Sequence, residues 1–413
     1  MTSPASLRIA IATDLHYLQD EDGGIYPQVC VDGSKIDPME ELIEIISSAD
    51  CPISPSADIV LCPGDITTRA CIKSFKKGWE DLKRLQSALG ASQLIAATGN
   101  HEIISRGDSS HAIPGNAESA IKPFEHLIVA EDYPAKFTTR DQKWIYWGRG
   151  FEVVTGGEWV VVTLNSCHYH NSLLPNEYER GRIGDAALTE LESKLKELSS
   201  QFKYKIVMLH HPPTPHEEFD VDLGRTSMYN GELLVQTLEN TCDDWLILHG
   251  HKHLSRLTKA SGAEYAPIIL GAASFGAMVT GDLAGKTRNQ FYILELRSSE
   301  GNERMKGTFE ALSWDGSEWG VTCKINHGLP HGCGFDLENP FKSKKVAQSI
   351  KQFLEGGEQP FFTWAELKKS IGALSHIMPK DIKNLCEILD ALGVRRVPAD
   401  GAWFPEQLWV DKK

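Results

Sequence analysis

Between residues 7 and 270 the chain carries seven short runs that are nearly continuous in Val, Ile, Leu and Ala. They are Leu7–Thr13, Asp58–Cys62, Gln93–Ala97, Trp159–Asn165, Lys205–Leu209, Trp245–His249 and Pro267–Leu270. A strand with one wet face alternates apolar and polar residues, and these runs do not alternate. They predict strands buried on both faces, in sheets covered by other layers. The stretches between them have helical spacing. Pro38–Ala49 follows Asp37, which suits an N-cap with proline at the first helical position. Ile72–Leu89 and Asp185–Ser199 are the clearest of the others. From Phe291 the pattern changes to Phe291–Leu296, Gly307–Trp314 and Trp319–Ile325, the last two split by the hairpin signal Asp315-Gly316. The expectation is a layered α/β domain with antiparallel strands added late.

At 413 residues the chain has room for two or three domains, or one large domain with an appendage. Residues 326–342 are rich in Gly and Pro and read as a linker with few contacts. The division expected is a catalytic domain over 1–330 and a small helical module over 343–413. In the module, Ser343–Phe353, Thr363–Ser370 and Lys380–Leu392 have helical spacing, and Thr363 with Glu366 fits a capping box. Val394–Phe404, with Asp400-Gly401 at its tip, reads as a hairpin, so the module has a winged-helix-like pattern. The net charge is −14. From residue 341 onward it is +3, which leaves −17 on the rest. So acidic a body repels nucleic acid at long range. The nine cysteines include no CxxC pair, which disfavours a zinc ribbon, an iron–sulfur site or a disulfide scaffold. No run of about 18 apolar residues occurs, so no membrane helix is expected. Leu7–Thr13 is too short, and lacks the basic flank, for a secretory signal, and a cytoplasmic location is expected.

The polar residues fall at the ends of the runs. The first ends in Asp14-Leu15-His16, the second in Gly64-Asp65 and the third in Gly99-Asn100-His101-Glu102. The fifth ends in His210-His211-Pro212-Pro213 and the sixth in Gly250-His251-Lys252-His253. Ligands of open α/β sheets bind outside the carboxyl ends of the strands. In an extended DxH or HxH the outer residues point the same way, so both reach one site. Each motif alone is common; five in order, each after a predicted strand, are not.

This ordered set resembles the signature of the calcineurin-like metallophosphoesterase superfamily: DxH, GD, GNH(D/E), a His before x-Pro, and GHxH. The resemblance spans residues 14–253 and implies a four-layer α/β/β/α fold, two mixed sheets flanked by helices. Carried over motif by motif, it implies one ion held by Asp14, His16, Asp65 and His253. It implies a second held by Asp65, Asn100, His210 and His251, with Asp65 bridging. His101 is then the catalytic residue that contacts the phosphate and the leaving group. Imidazole, carboxylate and amide donors suit divalent Mn, Fe or Zn. Two such ions about 3.5–4 Å apart clamp the attacking and departing oxygens, and a bridging hydroxide is the nucleophile. The implied activity is metal-dependent phosphoester hydrolysis, of a diester or a monoester, and the acidic body favours a small substrate over duplex nucleic acid. One alternative is a metal-dependent nuclease whose module grips nucleic acid. Another, of a different class, is a non-catalytic interaction scaffold. The module is also a candidate surface for a protein partner.

Other residues have two readings each. His168 and His170 either line the substrate pocket or sit in a solvated loop. His211 contacts substrate or packs, with packing favoured. Arg106 is read as a surface arginine rather than a phosphate ligand. Tyr17–Asp37 reads as a lid loop. Ile103–Arg149, with Trp144, Tyr146 and Trp147, either caps the site or packs its aromatics on the core.

Overall fold

The computed structural model describes residues 6–30, 36–104, 124–170, 177–215, 227–298, 304–398 and 401–411. Arg106 and Asp400 lie outside the described residues, as do parts of the expected lid loop and cap segment. In chain order the strands are β1 (Ser6–Ile11), β2 (Tyr17–Gln19), β3 (Ile25–Pro27), β4 (Ile59–Cys62), β5 (Gln93–Ala96), β6 (Phe151–Gly156), β7 (Trp159–Leu164), β8 (Tyr204–Met208) and β9 (Leu246–His249). There follow β10 (Arg256–Lys259), β11 (Ile268–Gly271), β12 (Gln290–Arg297), β13 (Lys306–Trp314), β14 (Trp319–Val321) and β15 (Gly334–Asp336). All seven predicted runs are strands.

Two mixed sheets form. The first has the order β14-β13-β12-β1-β4-β5, with β15 also on β13. Its β1, β4 and β5 are parallel, and β12 joins β1 antiparallel. The second has the order β10-β11-β9-β8-β7-β6, parallel from β7 to β11 and closed by antiparallel edges. Alternation along each strand divides the side chains between two cores. Leu7, Ile9, Ile11, Ile59 and Leu61 meet Val161, Ile206, Met208, Leu246 and Leu270 between the sheets. Ala10, Val60 and Leu94 face outward onto Met39, Leu42, Phe75, Trp79 and Leu82 of helices Pro38–Ser47 and Ile72–Ala88. Val160, Val162, Val207 and Ile247 pack on Leu191, Leu195, Leu234 and Leu238 of helices Asp185–Ser199 and Gly231–Glu239. The layering is α/β/β/α, and two-sided burial is why the strand runs are apolar throughout. Asp37 caps the first helix, its carboxylate accepting from Met39 N at 2.8 Å.

The stretch expected to be a linker is instead part of the fold. β15 pairs with β13 through Lys306↔Asp336, Gly307↔Phe335 and Thr308↔Gly334. Leu329, Cys333, Phe335 and Leu337 are buried in the same core as Val346, Ile350, Leu385 and Leu389 further on. Glycine here serves close packing rather than freedom: a Cβ at Gly334 would overlap the Gly307 carbonyl. Beyond it come helix Ser343–Gly356, β16 (Phe362–Thr363), helix Trp364–Ser370, helix Pro379–Ala391, β17 (Val394–Val397) and β18 (Gln407–Val410). The last three strands form a sheet of order β16-β18-β17. The capping box of Thr363 and Glu366 is present. The return strand of the hairpin starts later than expected, because Trp403 leaves the ladder. Its ring is buried and its Nε1 donates to Gly328 O at 3.0 Å.

Candidate metal centre

Five loops, following β1, β4, β5, β8 and β9, meet above the carboxyl edges of both sheets. The backbone ties them together. Asp14 N donates to Gly64 O at 2.9 Å and His16 N to Asp65 O at 3.0 Å, so the first two loops run side by side. Gly250 N donates to His210 O at 3.1 Å, joining the last two. His251 N donates to Asp14 Oδ1 at 3.0 Å and links the sheets. Asp14, His16, Asp65, His251 and His253 all have φ between 50° and 71°, in the left-handed region. The expected extended DxH and HxH geometry is therefore wrong. Both outer residues do reach one site, but through a coiled backbone.

All seven residues named from the five motifs as ligands come together. Asp14, His16, Asp65 and His253 offer donor atoms within 4.8 Å of one another. His16 Nε2 is 3.2 Å from His253 Nε2, and His253 Nε2 is 3.3 Å from Asp14 Oδ1. Asp65 Oδ2 lies between two groups, 3.6 Å from His16 Nε2 and 3.2 Å from His210 Nε2. Asn100 Oδ1 is 3.0 Å from His210 Nε2 and 3.1 Å from His251 Nδ1. The other nitrogen of each histidine pair is held from outside: His210 Nδ1 by Pro63 O at 3.0 Å, and His251 Nε2 by Glu179 O at 3.0 Å. Such outer bonds fix ring orientation and leave one lone pair facing inward. Seven inward donors, two of them carboxylates, form a set that cations fit.

The electrostatics agree. Burial pushes His16 down to about 3, so its imidazole is neutral. Burial, His211 and His210 hold His251 well below the usual histidine range. For His210 burial acts downward, but the Asp65 carboxylate raises it to about 9. Burial would raise Asp65, yet His210 and His101 hold it well below the carboxylate range. His101 sits at the mouth of the cluster, its ring 4.8 Å from that of His16. Its backbone N donates to Asp65 Oδ1 at 2.8 Å.

Glu102 escaped the sequence reading, although it completes the third motif. It is fully buried and accepts from three backbone amides: Asp65 N at 2.8 Å, Gly99 N at 2.7 Å and Thr67 N at 3.0 Å. It acts on the centre by holding the loops that carry Asp65 and Asn100. A Cβ at Gly99 would overlap the Asp65 carboxylate, so only glycine lets these loops approach. Burial, with the nearby Asp65 charge, pushes the Glu102 carboxyl up to about 8.

The remaining candidates divide. His170 is buried against His211, with ring centroids 5.2 Å apart, and is not in a solvated loop. The His211 ring lies 4.4 Å from that of His251, and it offers a donor atom within 4.8 Å of those of His210 and His251. His168 stacks beside Phe124. Tyr146 and Trp147 are core residues, and Tyr146 Oη bonds Thr98 Oγ1 at 2.7 Å beneath the third loop; Trp144 is exposed. In its described part the expected lid loop is the β2-β3 hairpin, whose Tyr17 is buried and donates to Asp81 at 2.7 Å.

No helix among the described residues is long and apolar enough to cross a membrane. The structure is similar to a dimetal phosphatase from Danio rerio, with 13% identity, a TM-score of 0.45 and coverage of 74% of this chain and 96% of that one. It is similar to purple acid phosphatase PPD1 from yellow lupin (Lupinus luteus) seeds, with 15% identity, a TM-score of 0.46, and 75% and 52% coverage. It is also similar to the phosphopantetheinyl hydrolase of Mycobacterium tuberculosis, with 12% identity, a TM-score of 0.33, and 66% and 91% coverage. No curated protein matches by sequence. The model of the calcineurin-like phosphoesterase family matches residues 7–255, more than half the chain and all five motifs, and the chain belongs to that family.

Proposed function

We propose that this phosphoester hydrolase works with two divalent ions and acts on a small phosphodiester or phosphomonoester. The observation that carries the reading is the place of Asp65 Oδ2, within 3.6 Å of His16 Nε2 on one side and 3.2 Å of His210 Nε2 on the other. One ion is assigned to Asp14, His16, Asp65 and His253. The other is assigned to Asp65, Asn100, His210 and His251. When bound, the ions supply Lewis acidity toward the phosphoryl oxygens and an activated water. The chain's own residues do the rest. Asp65 fixes the spacing of the two groups. The neutral rings of His16 and His251 present lone pairs without first losing protons. His101, at the mouth, holds a proton toward the departing oxygen and serves as general acid. Manganese, iron and zinc all suit the donor set.

Residues 343–413 are assigned as an accessory unit of winged-helix-like order, seated on the catalytic body rather than tethered to it. The test is a side-by-side assay with added manganese of a chromogenic diester, a chromogenic monoester, cyclic nucleotides and single-stranded DNA. Turnover of a small ester with about two ions per chain at these ligands supports the reading. Cleavage of DNA alone favours the nuclease, and less than one ion per chain with no turnover favours the scaffold.

A further inference from the structure

Behind the paired donor groups lies another cluster that the proposed mechanism does not use. We propose that Cys167, His170 and His211 form a separate site for a borderline-soft divalent ion of the zinc or cobalt type. All three side chains are buried, and one donor atom from each lies within 4.8 Å of the other two. Cys167 Sγ is 3.9 Å from His211 Nδ1. An ion at the usual distances, about 2.3 Å from sulfur and about 2.1 Å from nitrogen, would see these two atoms about 125° apart. That angle is open to three- or four-coordinate binding.

The donors differ in kind from those of the paired groups, which contain no sulfur. A thiolate selects zinc-like ions over magnesium or calcium. Cys167 Sγ now lies 3.2 Å from Thr98 O, donating its proton there. Ion binding releases that proton to water, and the thiolate sulfur turns its lone pair to the ion. Ser166 Oγ, 2.8 Å from His211 Nδ1, is the group the ion displaces at that nitrogen.

Such an ion would have a positional task. Cys167 and His170 follow β7, and His211 follows β8. Tying them together fixes the wall against which the His251 ring rests, 4.4 Å from that of His211. Gly181 closes the wall from the other side, since a Cβ there would press into the His211 ring.

The test uses the full chain loaded with cobalt. Thiolate-to-cobalt charge transfer gives a near-ultraviolet band that imidazole and carboxylate ligands do not give. The band is expected in the wild-type protein and lost in Cys167→Ser, with metal content falling by one equivalent. His170→Gln is expected to weaken or lose the same band while leaving Cys167 in place. Absence of the band in the fully loaded wild-type protein overturns the proposal, and this needs no variant to fold. A band that survives Cys167→Ser comes from another cysteine and also overturns it. The paired-ion reading fails separately: a wild-type chain that shows the band but holds one ion in all supports this site and refutes the pair.

Discussion

Glu102→Gln separates a positioning role from a merely space-filling one. In the ion-loaded chain the bound cations offset the Asp65 charge that raises Glu102, so it is taken as ionised; the substitution keeps shape and volume but leaves one carbonyl oxygen where two carboxylate oxygens served three amides. If that oxygen faces Asp65 N and Gly99 N, the new NH₂ group meets the Thr67 N–H, now 3.0 Å from Oε1. If it faces Thr67, two amides lose their acceptor. Thr67 and Asp65 are buried, so water cannot replace the bond. A buried donor left unsatisfied costs about 1–3 kcal/mol. The same change loosens the backbone of Asp65, and outer groups of this kind are worth about 10- to 100-fold in metal affinity. The assay is equilibrium denaturation of the ion-loaded chain together with competition for its metal by a chelator. The expected result is a loss of about 1–3 kcal/mol and at least tenfold weaker ion binding. A variant within about 0.5 kcal/mol of wild type, with unchanged affinity, refutes the account.

Asp65→Asn should weaken both ion sites together, read as metal content; loss of one equivalent with full activity contradicts the bridging assignment. His101→Ala should keep its metal and lose about 10²- to 10⁴-fold in kcat, less for leaving groups of low pKa, and an equal loss for good and poor leaving groups rules out the acid role. A chain cut after residue 342 should be insoluble or inactive, because Phe335, Leu337 and Cys333 lose the core they share with Val346, Ile350 and Leu385, and Gly334 N loses its bond to Ile377 O; soluble, fully active truncated protein would restore the tethered arrangement. In the ion-free protein Glu102, with its folded value raised from 4.5 to about 8, loses its stabilisation from about pH 4.5 upward, and His210, raised from 6.5 to about 9, adds to the loss above about pH 6.5. His16, lowered from 6.5 to about 3, loses its stabilisation as pH falls below 6.5 and so offsets Glu102 between about pH 4.5 and 6.5; melting temperature against pH should be level there, fall above about 6.5 without ions and flatten on that alkaline side with them.

The strands and the five loops were legible because burial and chemistry leave strong local marks. Strands covered on both faces must be apolar throughout, and ion donors must be particular residue types at strand ends. What was not legible depends on partners far along the chain. Glu102 sits inside a recognised motif, but its bonds run to the backbone of residues 65, 67 and 99, and backbone partners leave no side-chain pattern to read. The 326–342 stretch has the composition of a tether. Yet β15 finds an edge on β13, and glycine content reflects close packing there as much as looseness. The hairpin register near the C-terminus was misplaced because Trp403 is drawn into a core made mostly by residues before 340. From sequence, His170 reads as a pocket or loop residue and His211 as one that contacts substrate or packs; that the two meet was not legible, since only the fold shows that β7 and β8 are neighbours.

The coiled backbone of the donor loops explains how a site so charged holds its form. Left-handed residues other than glycine cost of order 1–3 kcal/mol each, and five of the seven donors are of this kind. That cost is offset locally. Asp14 N, His16 N, Gly250 N and His251 N each donate to a neighbouring loop at 2.9–3.1 Å, so the strained conformation is also the one in which these amides are satisfied. Ser274 Oγ adds a bond to Asp14 O at 2.7 Å, and Phe275 N one to Thr13 O at 2.7 Å. An extended DxH would bond along one sheet instead, and could not place Asp65 between His16 of one sheet and His210 of the other. The left-handed turn thus does for the backbone what Gly99 does for packing: it lets loops from two sheets converge on one carboxylate. Strain, backbone bonds and donor convergence are consequences of the same geometry, so the loops are shaped to receive cations before any arrive.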